Sequence, residues 1–169
     1  MTYKELQAWL NAHGASLTVD GVAGAKTKRA ILSVFANKQA PAASNADIAV
    51  IAARIGCSVK QVRAVAAVES GGAAFDADGR PKILSEGHVL WRVLARRGVP
   101  TFCIAELSAA HPEILFRSWA ERPGYLGGAL EYWRLDAARA LAAGACGSED
   151  PALMACSWGM FQILGENHK

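Results

Sequence analysis

Two glutamates in the middle of the chain, Glu69 and Glu86, have the setting for acid–base chemistry. The capping box Ser58-x-x-Gln61 predicts that a helix starts at Ser58 and runs towards Glu69. One face of that helix carries four residues at helical spacing: Val62, Val65, Ala66 and Glu69. We expect this face to point into the core, where desolvation favours a protonated carboxyl group. A protonated Glu69 is a general acid, whereas the alternative is an exposed side chain in a frayed last turn.

Glu86 is the second candidate, on a segment that Pro81 excludes from a helix and that is predicted to be extended or a small hairpin. Such a segment can fold back towards Glu69. Two facing carboxyl groups are the minimal equipment for glycoside hydrolysis, and their separation decides between retention and inversion at the anomeric carbon. The alternative is a surface Glu86 paired with Arg80 or Arg92.

A third motif, Ser157-Trp158-Gly159-Met160-Phe161-Gln162-Ile163, lies near the end of the sequence. Ser157 and Gln162 are polar among residues that should be buried, so each needs a partner. A sugar ring or a catalytic carboxyl group would provide one. The apolar members of the motif are equally explained as core.

Other catalytic classes lack their motifs. The sequence has no G-x-S-x-G elbow and no glycine-rich phosphate loop with its lysine. His88 has no cysteine or second histidine nearby, so we expect no zinc site. Four cysteines lack metal-binding spacing: Cys57, Cys103, Cys146 and Cys156. We expect buried free thiols at Cys57 and Cys156 in apolar helices, with one disulfide left open.

The elements that position these residues divide into two parts. Residues 1–38 are predicted to form a small helical module, 39–45 a linker, and 46–169 the larger domain. In the module, Thr2-x-x-Glu5 caps a helix with an apolar stripe at Leu6, Trp9 and Leu10. A turn at Val19–Gly24 follows, and Thr27 is predicted to cap a second helix.

In the larger domain, Ser44-x-x-Asp47 caps a helix that ends at Gly56, and His88–Arg97 is predicted to be helical. A long amphipathic helix is predicted over Tyr125–Ala143. Its apolar face consists of Leu126, Leu130, Trp133, Ala137 and Leu141. Asp150 before Pro151 predicts the start of a short helix that ends near Trp158.

Composition fits a folded protein of one domain, or of a module plus a domain: 169 residues, 52% hydrophobic, net charge +3. Residues 1–38 hold five basic and two acidic side chains, a net of +3, and the remainder sums to zero. A basic module suits an anionic polymer, although three charges do not indicate nucleic acid. No apolar run approaches the roughly 18 residues of a membrane span, and none resembles a signal peptide.

The N-terminal motifs resemble the peptidoglycan-binding domain of many cell-wall hydrolases, over about residues 1–37. The matching residues are Leu6-Gln7-x-Trp9-Leu10-Asn11, Leu17-x-Val19-Asp20-Gly21-x-x-Gly24 and Thr27-x-x-Ala30-Ile31. The resemblance implies a wall-binding module with Asp20, Gly21, Gly24 and Thr27 as its motif residues.

Roughly residues 46–169 resemble the N-acetylmuramidase domain of modular phage endolysins. The matching motifs are Glu69-Ser70-Gly71-Gly72, Phe75, Gly79-Arg80-Pro81-x-Ile83-Leu84-x-Glu86-x-His88, Gly124-Tyr125 and Ser157-Trp158-Gly159-x-x-Gln162-Ile163. This resemblance implies a mainly helical, lysozyme-like α+β fold with a short hairpin. It also implies cleavage of the β-1,4 bond between N-acetylmuramic acid and N-acetylglucosamine. Glu69 matches the catalytic acid and Glu86 the second carboxylate. The implied substrate-binding residues are Ser157, Trp158, Gln162, His88 and Tyr125.

The resemblance also implies a monomer that needs no metal or organic cofactor, with peptidoglycan as its partner and neither nucleic acid binding nor membrane insertion. It further implies synthesis in the host cytoplasm without a signal peptide and release to the wall by a holin. Family members usually continue for several more helices, so we expect a C-terminally truncated domain with Leu130, Trp133 and Leu141 incompletely covered. The alternatives are a lytic transglycosylase and a non-catalytic wall-binding fragment.

Overall fold

A computed structural model of the chain describes residues 2–35, 42–124 and 126–167, without the side chains of Leu32 and Phe35. The described residues fall into two compact units. The first comprises residues 2–35 and 77–80, and the second comprises residues 42–76 and 81–167. Residues 39–41 of the predicted linker lie outside the described residues, whereas residues 42–45 are described.

The first unit contains two helices, α1 (Tyr3–Ala12) and α2 (Ala25–Phe35). The predicted capping box at Thr2 and Glu5 is confirmed, since both reciprocal hydrogen bonds are present. The predicted cap at Thr27 is wrong, because α2 begins two residues earlier and Thr27 is buried within it. Thr27 is buried because its hydroxyl satisfies the carbonyl oxygen of Val22 in the preceding turn.

The second unit is mainly helical. Its helices are α3 (Asn45–Ile55), α4 (Val59–Ser70), α5 (Gly87–Arg96), α6 (Thr101–Ala110), α7 (Gly128–Cys146) and α8 (Asp150–Met154). The capping boxes predicted at Ser44 and Ser58 are confirmed, and α3 and α4 both end at a left-handed glycine, Gly56 and Gly71. These caps fix the helix that carries Glu69.

A small antiparallel sheet joins distant parts of this unit. Its strands are β1 (Ile83–Ser85), β2 (Cys156–Trp158) and β3 (Ile163–Leu164), in the order β1-β2-β3. Ile83 pairs with Trp158 and Ser85 with Cys156, while Ser157 pairs with Leu164 across the hairpin. The short helix before β2 is one turn long and ends at Met154, so the predicted continuation of that helix to Trp158 is wrong.

The main hydrophobic core lies between α5, α6, α7 and the sheet. Its fully buried members include Leu90, Leu94, Ile104, Leu115, Ala142 and Cys156. A smaller cluster between α3 and α4 contains Ile48, Ala52 and Val62. Val62 of α4 belongs to the smaller cluster and Ile83 of β1 to the main core, so each candidate glutamate lies on or next to a packed element.

The buried face of α7 differs in part from the predicted one: Ala137 and Leu141 pack against the core, whereas Leu130 and Trp133 are incompletely covered, as expected. Leu130 and Trp133 are each 53% exposed, and the buried residues are Glu131, Arg134, Leu135, Ala138 and Ala142. Glu131 and Arg134 form an ion pair of 2.9 Å in which both side chains are almost fully buried. The prediction is wrong in part, because two charged residues occupy core-facing positions that periodicity reserves for apolar side chains.

All four cysteines are free thiols. The expectation of burial is wrong for Cys57, which is exposed at the end of α3. Cys156 is buried as expected, but it lies on a strand, and burial raises the pKa of its thiol. Among the described residues, no helix is long and apolar enough to cross a membrane.

Candidate active site

Glu69 is the second-last residue of α4, which stops because Gly71 takes a left-handed conformation with φ 66°. The expectation that Glu69 points into the core is wrong: Val62 and Ala66 are buried, but Val65 is 50% exposed and Glu69 is exposed. Only a narrow strip of α4 faces the core. Glu69 therefore lies at the rim of a cleft and is open to solvent.

Glu86 is the buried carboxyl group of the pair, with 8% of the residue exposed. It directly follows β1, and its backbone N–H donates to the carbonyl oxygen of Ala155 (2.9 Å). The next residue is glycine because a Cβ on Gly87 would lie 2.4 Å from the carbonyl oxygen of Ile114 and from the ring of Phe116. The start of α5 therefore packs directly against Ile114 and Phe116, which holds Glu86 next to the core.

The two glutamates line the same cleft, which has a volume of about 400 Å³. The residues around it are Glu69, Ser70, Lys82, Ile83, Leu84, Glu86, Trp119, Arg122, Ser157 and Gln162. These residues come from α4, the sheet and the segment before α7. The structure therefore brings four of the predicted site residues, Glu69, Glu86, Ser157 and Gln162, into one place.

Lys82 ties the elements of the cleft together. Its ammonium group donates to the carbonyl oxygen of Ser70 (2.7 Å) at the end of α4. Its own carbonyl oxygen accepts from the backbone of Gly159 (2.7 Å) and from the side chain of Gln162 (3.4 Å). The helix that ends after Glu69 is thus bonded to the strand that leads to Glu86.

Gln162 closes the β2–β3 hairpin with its backbone in the left-handed region, at φ 47°. Its side-chain amide donates to the carbonyl oxygen of Gly159 (2.8 Å). A non-glycine residue at positive φ is strained, and such strain is found most often at functional sites.

The other predicted substrate-binding residues are placed differently. Trp158 does not line the cleft, because successive residues of β2 face opposite sides of the sheet and Ser157 takes the cleft side. Trp158 lines a separate groove with Leu153 and Ile163. His88 lies behind the cleft, with its Nδ1 atom 3.7 Å from Oε2 of Glu86, too far for a hydrogen bond. Tyr125 lies outside the described residues.

Three residues of the cleft, Lys82, Trp119 and Arg122, were not predicted from the sequence. The guanidinium carbon of Arg122 lies 4.4 Å from the ring centre of Trp119, a cation–π contact. Trp119 is 54% exposed and contacts the edge of the His88 ring at 5.2 Å between ring centres. A half-exposed indole beside two carboxyl groups is a surface on which a sugar ring can stack. No motif in the sequence marks it, since the segment before α7 carries no periodic pattern.

Burial and nearby charges shift the pKa values of Glu86 and His88. Burial raises the pKa of Glu86, and nearby Glu131 adds to this, whereas Arg122 and a hydrogen bond from Ser157 act in the opposite direction. Burial also lowers the pKa of His88, reinforced by Arg92 and Arg122, which favours its neutral form. Oε2 of Glu86 and Nδ1 of His88 are both buried without a hydrogen-bond partner.

Glu131 is buried next to the site and holds two of its segments by hydrogen bonds. Its carboxylate accepts from the backbone N–H of Ser85 (3.2 Å) and of Leu126 (3.0 Å), besides the bond from Arg134. Ser85 precedes Glu86 directly. The buried ion pair therefore joins the strand that carries Glu86 to the segment that follows Arg122.

Arg92 pairs with Glu166 and not with Glu86. Arg96 binds the same carboxylate, and these two arginines lower the pKa of Glu166. This ion-pair cluster fixes the 3-10 turn Gly165–Asn167 to α5. Among the described residues, no group of three His, Cys, Asp or Glu side chains is placed to hold a metal ion.

In the first unit, the motif residues form a hydrogen-bond network around Gln7. The Gln7 amide donates to Asp20 (2.8 Å) and to Thr27 (3.1 Å), and its oxygen accepts from the backbone of Gly21 (2.8 Å). Asp20 also accepts from the backbone of Val22, and these bonds lower its pKa. Gln7 is 1% exposed, so the network holds the turn against α1.

Comparison with known proteins identifies the family of the chain. The sequence profile of the N-acetylmuramidase family matches residues 58–169, and the chain belongs to that family. Among solved structures, the crystal structure of a Burkholderia AP3 phage endolysin is similar, with 36% sequence identity and a TM-score of 0.56. That similarity covers 97% of this chain and 66% of the endolysin chain, so this chain spans slightly less than two thirds of its relative. No curated protein matches the sequence. The predicted mainly helical, lysozyme-like fold with a short hairpin is confirmed.

Proposed function

We propose that the protein is a peptidoglycan hydrolase that cleaves the β-1,4 bond between N-acetylmuramic acid and N-acetylglucosamine. One observation carries this proposal: Glu69 and Glu86 line a single cleft beside an exposed indole, in a chain of the N-acetylmuramidase family. The similarity to a phage endolysin supports a role in lysing the wall of an infected bacterium from the cytoplasmic side.

In the proposed reaction, Glu69 donates a proton to the glycosidic oxygen as the bond to the anomeric carbon breaks. The released N-acetylglucosamine keeps that proton on its 4-hydroxyl group, and water adds to the anomeric carbon as its surplus proton passes to a carboxylate of the site. Glu86 stabilises the positive charge that develops on the sugar or activates the water. Ser157 and Gln162 supply hydrogen bonds to the sugar, and Trp119 supplies a stacking surface.

The division of roles between the two glutamates is part of the proposal. The raised pKa of Glu86 would by itself favour Glu86 as the proton donor. Glu69 is preferred because its exposed side chain at the rim can reach a glycosidic oxygen, and because it matches the family's catalytic acid.

Digestion of purified peptidoglycan tests the activity. We expect the wild type to release muropeptides with reducing muramic acid ends, identified by mass spectrometry after borohydride reduction. Glu69→Gln should lose at least about a hundredfold in rate, because a general acid contributes 10²–10⁴-fold. Glu106→Gln, which removes an exposed carboxylate on α6 away from the cleft, is the matched control and should keep full activity.

Each other outcome contradicts a stated part of the proposal. Anhydro-muramic acid ends would show a lytic transglycosylase, and binding to the wall without soluble product would show a non-catalytic protein. A fully active Glu69→Gln variant would refute the assignment of the acid.

An aryl glycoside substrate tests the roles, because a good leaving group departs without a proton. Glu69→Gln should then recover most of its activity, whereas Glu86→Gln should stay inactive on both substrates. The reverse pattern would assign the acid to Glu86.

We further propose that the first unit binds peptidoglycan and that the protein is a monomer. The basic charge of residues 1–38 and their resemblance to peptidoglycan-binding domains support the first statement. Removal of residues 1–38 should weaken binding to sacculi more than it slows cleavage of soluble glycan fragments, and equal losses would contradict the two-part arrangement. Light scattering on the full chain tests the monomer.

A further inference from the structure

The residues that carry the motif of the first unit make their hydrogen bonds inside the unit. Asp20, Gly21 and Thr27 all bond to the buried Gln7. They hold the turn between α1 and α2 against the first helix.

The first unit contains a groove of about 540 Å³ on a different surface. It lies between the loop His13–Leu17 and helix α2. Its polar lining consists of the side chains of Lys26, Arg29, His13, Ser16 and Ser33. Leu17 and Ala30 supply an apolar floor.

The loop wall of this groove is held in place by α1. The side-chain amide of Asn11 accepts from the backbone N–H of Leu17 (2.7 Å) and donates to its carbonyl oxygen (2.8 Å). The N–H of Ala15 donates to the carbonyl oxygen of Leu10 (3.0 Å). The groove is thus formed before any ligand arrives, which reduces the entropy lost on binding.

The positive charges that line the groove favour an anionic ligand. Lys26 and Arg29 are three residues apart on α2, so they share one face of the helix. No carboxylate belongs to the described lining of the groove. Glu5 is engaged at the start of α1, where its carboxylate accepts from the backbone of Thr2 (2.6 Å), and Asp20 is engaged in the turn.

We propose that this groove binds the free carboxylates of the peptide stems of peptidoglycan, with Lys26 and Arg29 as the binding cations. This inference rests on the proposed function, because it names the part of the wall polymer that the first unit contacts. The glycan backbone offers hydroxyl and acetamido groups, whereas the stems offer carboxylates. An arginine fork matches a carboxylate with two parallel hydrogen bonds, and a lysine adds a point charge.

The test combines variants with chemical modification of the wall. The full chain is sedimented with purified sacculi, either untreated or amidated with carbodiimide and ammonium chloride to remove the charge of the carboxylates. We expect Lys26→Gln and Arg29→Gln each to weaken binding to untreated sacculi by about five- to tenfold. Lys4→Gln removes an exposed cation outside the groove and should bind like the wild type.

Amidation gives the decisive comparison. Amidated sacculi should bind the wild type as weakly as untreated sacculi bind the double variant Lys26→Gln with Arg29→Gln. Amidation should have no further effect on that double variant. Arg29→Lys should recover part of the binding, and added salt should weaken wild-type binding by screening. Thermal melts of each variant confirm that the unit is folded.

Three results would overturn the inference. Equal binding to amidated and untreated sacculi would exclude the carboxylates. Loss of binding only after removal of phosphate-containing wall polymers would identify phosphate as the ligand. An equal effect of Lys4→Gln would show attraction by net charge without a defined groove. Muropeptide release by the wild type, measured in parallel, separates failure of this inference from failure of the proposed hydrolase.

Discussion

The buried ion pair between Glu131 and Arg134 gives the most quantitative prediction about this protein. The Nη1 atom of Arg134 lies 2.9 Å from the Glu131 carboxylate, and the two side chains are 2% and 1% exposed. Removing one partner of such a pair leaves an uncompensated charge in the core. We expect Glu131→Gln to lower the free energy of unfolding by about 3–5 kcal/mol.

The loss is large relative to the total stability of a domain, which is about 5–15 kcal/mol. For a unit of this size it corresponds to a fall in Tm of roughly 10–20 °C. Urea denaturation followed by circular dichroism measures the free energy, and scanning calorimetry measures Tm. Arg134→Met alone should also be destabilising, because it leaves Glu131 without its counter-charge.

The double variant Glu131→Gln with Arg134→Met distinguishes a charge effect from a packing effect. A neutral pair removes the uncompensated charge, so the double variant should be more stable than either single variant. Its activity should still be low, because a Gln side chain has one oxygen with which to accept from both Ser85 and Leu126. A loss below about 1 kcal/mol in Glu131→Gln, or strictly additive effects in the double variant, would refute this reasoning.

Three further predictions concern the immediate surroundings of Glu86. Because burial raises its folded-state pKa above the ordinary value of 4.5, the associated stability is complete at low pH and is lost as the pH rises through the folded value. Glu86→Gln should therefore gain stability relative to the wild type between pH 4 and pH 7 in denaturant melts, and a constant difference would contradict this. Gly87→Ala should destabilise the protein and reduce activity, because the new Cβ meets backbone and ring atoms at 2.4 Å. As a control, Gly144→Ala in α7 meets nothing within 4 Å and should stabilise the protein by up to about 1 kcal/mol. The charge of Arg122 lowers the pKa of Glu86, so Arg122→Gln should shift the acid limb of the pH–rate profile to higher pH. Arg122→Lys keeps the charge and should largely preserve the limb. An unchanged limb in Arg122→Gln would exclude a role for ionised Glu86.

The local signals in the sequence were sufficient for the ends of several helices. The capping boxes at Thr2, Ser44 and Ser58 involve residues three positions apart, so their geometry depends on little besides the local backbone. The same holds for the left-handed glycines at Gly56 and Gly71. These signals placed Glu69 correctly at the end of α4.

Burial could not be predicted in the same way, because it depends on what packs against a face. Periodicity made Glu69 a buried residue, but α4 buries only a strip centred on Val62 and Ala66. On α7 the apolar stripe through Leu130 and Trp133 is exposed, and a charged pair takes the core positions. In both helices the deciding contact comes from an element that is distant in sequence.

The cleft itself shows why the residues around a carboxylate are harder to predict than the carboxylate. Lys82 is connected to Ser70 and Gly159, and Arg122 acts on Glu86 across the cleft, all through pairs that are far apart in the chain. Neither residue belongs to a local pattern. The chemistry that separates Glu86 from an ordinary glutamate is the balance between burial, which favours the proton, and Arg122 with Ser157, which favour the charge. That balance requires the sheet, α5 and the segment before α7 to be packed together. The sequence therefore indicates which glutamates are present but not in which direction the pKa of Glu86 is shifted.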